Sequence, residues 1–151
     1  MIAMTEHKDI NAESGIGRIT IPAPLRFSDT DANGHLFFGT YFTIFDTAFL
    51  NFLDIIGYSF DTFCQEGFNF YYVEATSQYK ASVKFSDRLD VNVWIDKIGR
   101  TSFTVMFEAL NHSIGKIAAT GRIVAVVVDF ETEEPVPVPA AFRQIIEGTE
   151  K

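Results

Sequence analysis

Cysteine is nearly absent: Cys64 is the only one in 151 residues. No intrachain disulfide can form, and a reducing, cytoplasmic compartment is expected. Long apolar runs are missing too. The longest clean one, Ile123–Val128, falls far short of a membrane-spanning helix. No basic stretch followed by an apolar one opens the chain, so no signal peptide is visible. Bases are scarce, 12 Lys and Arg against 20 Asp and Glu, for a net charge of −8. Such a surface repels phosphate backbones and excludes nucleic acid as the expected partner. A small anion is still admissible where a few local donors gather. His7 and His112 have no partners at ligand spacing, so neither a metal nor a cofactor is expected. Repeats, low-complexity tracts and Pro/Gly/Ser linkers are also lacking.

What the chain has in excess is phenylalanine, with 16. Hydrophobic residues make up 47% and charged residues 21%, ordinary values for a globular domain. At this length one domain is expected, and its core needs broad, flat fillers. Residues 1–16 are polar and aperiodic and read as a flexible leader. Residues 17–151 read as a single domain.

Gly17–Phe27 is expected to be an edge strand, broken by Pro22 and Pro24. Residues 28–35, SDTDANGH, are dense in turn formers and in helix N-cap types. The run Phe37–Ile56 lacks proline and stops at Gly57, which predicts a helix. On a helical wheel Thr43, Thr47, Asn51 and Asp54 form one narrow polar stripe. The rest is apolar, so the helix should be wrapped by other elements. Period-two alternation follows in Tyr79–Phe85, Leu89–Ile95 and Phe103–Ala109, each a half-buried strand. Short turns between them favour antiparallel neighbours. Ile117–Phe130 is apolar on both faces near its middle, as suits a central strand. Ala140–Glu147 predicts a short closing helix. The sum is an α+β fold: about five antiparallel strands curved around one hydrophobic helix.

The chemistry is expected in Phe27–His35, between the first strand and that helix. Unpaired amides and the helix dipole there would stabilise a developing oxyanion. Gly34 permits close approach of a ligand. Asp31 is the carboxylate that could attack a carbonyl or activate a water. The bland reading of an Asp-x-Asp run before a helix is capping alone.

The stretch RFSDTDANGHLFFGTY (26–41) resembles the signature of hotdog-fold acyl-CoA thioesterases of the 4-hydroxybenzoyl-CoA thioesterase type. Residues 73–91, 98–105 and 129–139 are similar to stretches of that family's sheet, in order and at compatible spacing. The resemblance implies a hotdog fold and hydrolysis of acyl-CoA, or of an acyl-carrier thioester, to a free acid. It implies Asp31 as nucleophile or general base and the His35 amide as oxyanion donor, with Gly34 shaping the approach. It implies a homodimer joined sheet edge to sheet edge, often paired again into a tetramer, with active sites at the interface. Arg100, Thr101 and Ser102 match positions that receive the nucleotide phosphates. Phe38 and Tyr41, at the start of the predicted helix, are expected to contact the substrate. Asp46 matches a position that touches hydroxylated aromatic acyl groups in some members. Phe37 and Phe38 stand where many members have small polar residues, which suggests an apolar or aromatic acyl group. Glu74 matches the catalytic carboxylate of a different hotdog branch, although it reads as an ordinary strand residue. Two other readings stay open: an enoyl-thioester hydratase using Asp31 and the His35 imidazole, and a non-catalytic dimer that binds acyl thioesters.

Overall fold

The computed structural model describes residues 10–11 and 15–148. Most of the expected leader, 1–9 and 12–14, lies outside the described residues. Within it, Ile10–Asn11 (β1) pairs antiparallel with Gly15–Ile16 (β2). The main sheet holds Ile19–Pro22 (β3), Phe68–Tyr79 (β4), Leu89–Ile98 (β5), Ser102–Asn111 (β6) and Lys116–Asp129 (β7). Its order is β3-β5-β6-β7-β4, and every pairing is antiparallel. Three helices, Thr40–Ile56 (α1), Phe60–Gln65 (α2) and Ala140–Glu147 (α3), complete the chain.

The long helix lies against one face of the sheet. Alternate residues of the strands turn the same way, and this face carries Ile19, Ile21, Val91, Val93, Phe103, Val105, Phe107 and Ala125, all buried. From α1, Phe45 stacks on Phe107 with centroids 4.7 Å apart, and Phe49 sits 5.8 Å from both Phe70 and Phe103. Close approach needs a notch in the sheet. Gly121 supplies it: a Cβ there would fall 2.4 Å from Phe45 Cε2. Phe63 of α2 and Phe142 of α3 close one end of the same aromatic core, 5.2 Å apart. The phenylalanine surplus is thereby used as broad filler between curved sheet and helix.

Several expectations need correction. The helix begins at Thr40 rather than Phe37, because Phe37 donates its amide back to Asp29 O at 2.9 Å. Its N-cap is Gly39, with no side-chain cap, so the SDTDANGH turn does not cap it. The helix does end at Gly57, which takes φ 84° and donates to Asp54 and Leu53 carbonyls. The edge strand β3 is shorter than Gly17–Phe27. Tyr79–Phe85 is not a strand. Tyr79 ends β4, and Lys80 and Ala81 both donate to Ala118 O while Val83 O accepts from Leu36 N. β5, β6, β7 and α3 lie within a few residues of the expected ranges.

The sheet's two edges differ. β3 is short and ends at Pro22, which has no amide to offer a further strand. β4 is long and largely open, with Tyr71, Tyr72, Val73 and Tyr79 exposed. Its register against β7 shifts between Tyr72 and Glu74, a bulge at Val73.

Candidate active site

Asp31 lies in a tight loop, nine residues ahead of Thr40, the first residue of α1, and not at the helix terminus itself. The loop is closed by its own groups. Asp31 N donates to His35 O at 2.7 Å, and Asp31 Oδ1 accepts from Asn33 N at 2.9 Å and from His35 N at 3.2 Å. Gly34, at φ 76°, makes the reversal that brings His35 back to Asp31. The His35 amide is therefore turned to Asp31. Asp31 Oδ2 has no partner among the described residues. Its neighbour Asp29 has a different task. Buried, it accepts from Arg26 N at 2.8 Å, and its carbonyl holds Phe37 N and the Thr40 hydroxyl. Asp29 is the structural member of the pair, and Asp31 is left with one open oxygen.

Asp31 and His35 line a groove of about 430 Å³ with Leu36, Phe38, Tyr41, Tyr79, Lys80 and Val83. One wall is aromatic. Phe38 meets Tyr79 edge-on at 6.2 Å, and Tyr79 lies 5.3 Å from Tyr41. Lys80 adds a positive charge to the rim of an otherwise acidic protein. The amides of Phe38 and Gly39, at the head of α1, donate to no acceptor among the described residues. The groove is thus lined by Asp31, by Phe38 with its unused amide just ahead of the helix start, and by an apolar wall.

Burial, and secondarily Tyr79, push the Tyr41 hydroxyl up to about 12. The fold favours neutral Tyr41. The stability this adds is complete below about pH 10, its unfolded value, and disappears as pH climbs toward 12. Ultraviolet phenolate titration of wild type against Tyr41→Phe is expected to show the missing step near pH 12. A missing step at pH 10 would refute the buried placement.

Not every expected site residue reaches this groove. Asp46 lies in a second one, about 340 Å³, with Leu50, Phe60, Asn69, Phe70, Tyr71 and Tyr72. There it accepts the Tyr72 hydroxyl at 2.6 Å, and burial together with Asp46 raises the Tyr72 pKa. Arg100 and Thr101 lie in the β5–β6 turn, and Ser102 opens β6, at the far end of the sheet. Ser102 is level with Val126 and Tyr71, whereas the groove is level with Tyr79. Eight residues of strand separate the two levels, roughly 26 Å. Glu74 forms an exposed ion pair with Arg122. Cys64 is half-buried on α2, and His112 bonds Asp90 at 2.5 Å. Sequence reading missed Tyr79 and Lys80 as groove residues. The signal lay in the aromatic run from Phe68, which marks β4 and carries both to the groove.

No curated protein matches the chain. A family profile described as the thioesterase-like superfamily matches residues 25–146. Among solved structures, a gentisyl-coenzyme A thioesterase is 27% identical, covering 84% of this chain and 99% of that one, at TM-score 0.72. A 1,4-dihydroxy-2-naphthoyl-CoA thioesterase from Synechocystis is 21% identical, covering 85% and 96%, at TM-score 0.77. A Staphylococcus aureus protein solved in complex with CoA is 16% identical, covering 93% and 91%, at TM-score 0.78. The last two are likenesses of fold. With most of its length matched by one profile and its sheet and helix arranged as in these structures, the chain belongs to the thioesterase-like superfamily and is a hotdog-fold thioester hydrolase.

Proposed function

We propose that the protein hydrolyses acyl-CoA thioesters to a free acid and CoA, with Asp31 as the catalytic carboxylate. The observation that carries this reading is Asp31, with Oδ2 open, in the same groove as Phe38, whose amide is unused just ahead of α1. The acyl carbonyl would sit between them. Either Oδ2 attacks the carbonyl carbon, expelling the thiolate and leaving a mixed anhydride for water to open, or it takes a proton from water that attacks instead. In both routes the carbonyl oxygen gains charge, and the Phe38 amide stabilises it. This replaces the His35 amide as donor, since that amide is turned to Asp31. The aromatic wall favours an apolar or aromatic acyl group.

The nucleotide contact needs a second chain in this reading. Arg100 stands some 26 Å along the strands from Tyr79, so one chain does not bring Arg100 and Asp31 together. A second copy laid antiparallel along β4, about a two-fold axis near Val73, puts its own Arg100 turn level with Tyr79. Its groove at Asp46 and Phe60 then adjoins the groove at Asp31. The homodimer of this proposal is therefore joined through β4, the open edge.

A panel of saturated, aryl and enoyl CoA esters, read with a thiol reagent and by product analysis, tests the reading. Thiol release from aryl or medium-chain esters is expected. His35 lines the same groove, which is what a hydratase would also need. Hydrated enoyl product without thiol release would overturn the proposal in favour of that chemistry. Tight ester binding with no product at all would leave only a binding module.

A further inference from the structure

We infer that Asp87 is a positioning residue for this reaction: from outside the groove, it fixes the strap of chain on which the Asp31 loop rests. The inference rests on the hydrolytic reading above. The strap, residues 80–84, follows the end of β4, and Lys80 and Val83 within it line the groove. Its backbone meets the Asp31 loop. Leu36 N donates to Val83 O at 2.7 Å, and Lys84 forms an antiparallel bridge with His35. His35 in turn holds both the amide and Oδ1 of Asp31.

The loop's own hydrogen bonds set its shape, and the strap sets its place against the sheet. The strap is tied to the sheet at both ends. At its start Lys80 N and Ala81 N donate to Ala118 O at 2.7 and 3.1 Å. At its finish the tie is Asp87. One oxygen, Oδ2, accepts from Lys84 N at 2.8 Å and from Asn111 Nδ2 at 2.9 Å, and Asp87 N donates back to Lys84 O at 2.9 Å. Asn111 is fully buried at the end of β6, and its Nδ2 also donates to Ser82 O at 3.3 Å. A buried amide with its donors used in this way is costly to disturb, which makes it a firm anchor. The Lys84 amide and, after it, the Asn111 amide hold the Asp87 carboxyl below the usual carboxylate range, so it stays ionised and accepting near neutral pH. The route from sheet to catalytic carboxylate runs through Asn111, Asp87, Lys84 and His35 to Asp31. A residue that never touches substrate can set the rate by such a route, since a displacement of about 1 Å at the reacting groups can cost about a hundredfold.

The test is a series at Asp87 in the full-length protein, with kcat for thiol release measured well below each melting temperature. Asp87→Ala removes the acceptor, and a fall in kcat of about tenfold is expected. Asp87→Asn removes the charge but leaves an oxygen where Oδ2 stands, and should keep kcat within about threefold of wild type. Asp87→Glu keeps the charge but carries the oxygen one methylene too far, and should lose more activity than Asp87→Asn. That ordering carries the test if Asp87→Ala does not fold. Tyr58→Phe is the comparison, since it removes a hydroxyl contact, to Glu66 at 2.6 Å, away from the groove. Its kcat should be unchanged. An unchanged kcat in Asp87→Ala, a change confined to KM, an Asp87→Glu more active than Asp87→Asn, or an equal fall in Tyr58→Phe would overturn the inference. If Asp31→Asn is inactive while Asp87→Ala turns over normally, only this inference fails. A wild type that releases no thiol removes the reading beneath it as well.

Discussion

Asp31→Asn is expected to lower kcat by a factor of about 10²–10⁴ while the protein stays folded, the range lost with a positioned catalytic carboxylate. The substitution suits the geometry. An amide oxygen can still accept from the Asn33 and His35 amides, which use only Oδ1. The loop should therefore keep its shape, and the side chain keeps its volume. What goes is the charge and the nucleophilic oxygen at Oδ2. Steady-state thiol release, with thermal melting alongside, separates the two effects. A melting temperature near wild type with kcat down at least a hundredfold is the expected pair. Wild-type kcat in the variant would leave Asp31 as a loop-closing residue and nothing more. Single turnover in heavy-oxygen water then tests the covalent route: label in the Asp31 carboxylate requires that it was acylated and that water opened the anhydride at the Asp31 carbonyl.

The largest loss of stability is expected at Phe49→Ala, about 3–5 kcal/mol. Phe49 is fully buried and touches the rings of Phe52, Phe70 and Phe103. Those neighbours come from the helix and from two different strands. No single shift of one element can fill the space left behind. Against a typical total of about 5–15 kcal/mol, such a loss takes a third or more of the protein's stability. Equilibrium urea unfolding should show a lowered midpoint at similar slope. Phe38→Ala is the contrast. Phe38 is 61% exposed, and its removal should move stability by no more than about 0.5 kcal/mol. Similar losses at both positions would mean that the core is not where the aromatic contacts put it.

Much of this arrangement can be read from the residues. β5 and β6 show because one face is more buried than the other, which writes a period of two into the sequence, and β7 because its middle is apolar on both faces. α1 shows because its apolar surface is too wide for a solvent-facing helix. β4 does not show. Both its faces are largely exposed in a single chain, and the bulge at Val73 breaks any alternation it has. Tyr79–Phe85 misleads for the opposite reason. Val83 is 1% exposed and looks like a strand's inward residue, yet its own carbonyl accepts from Leu36 while Lys80 and Ala81 before it bond to Ala118, as loop segments. Asp31 and Gly34 are legible because turn chemistry selects few residue types. Their distance from the helix start is not, because Phe37 and Phe38 are apolar enough to pass for helix while lying outside it. The place of Arg100 depends on strand register, which composition does not encode.

The inequality of the sheet's margins has one more effect. A sheet open on both sides can recruit copies without end and grow into a fibre. Here Pro22 ends one margin of the main sheet, and among the described residues β4 is its long open margin. If two copies meet there about a two-fold axis, each spends that open margin on the other. Growth by strand addition would then stop at two, and the proline that closes β3 would keep such an assembly finite.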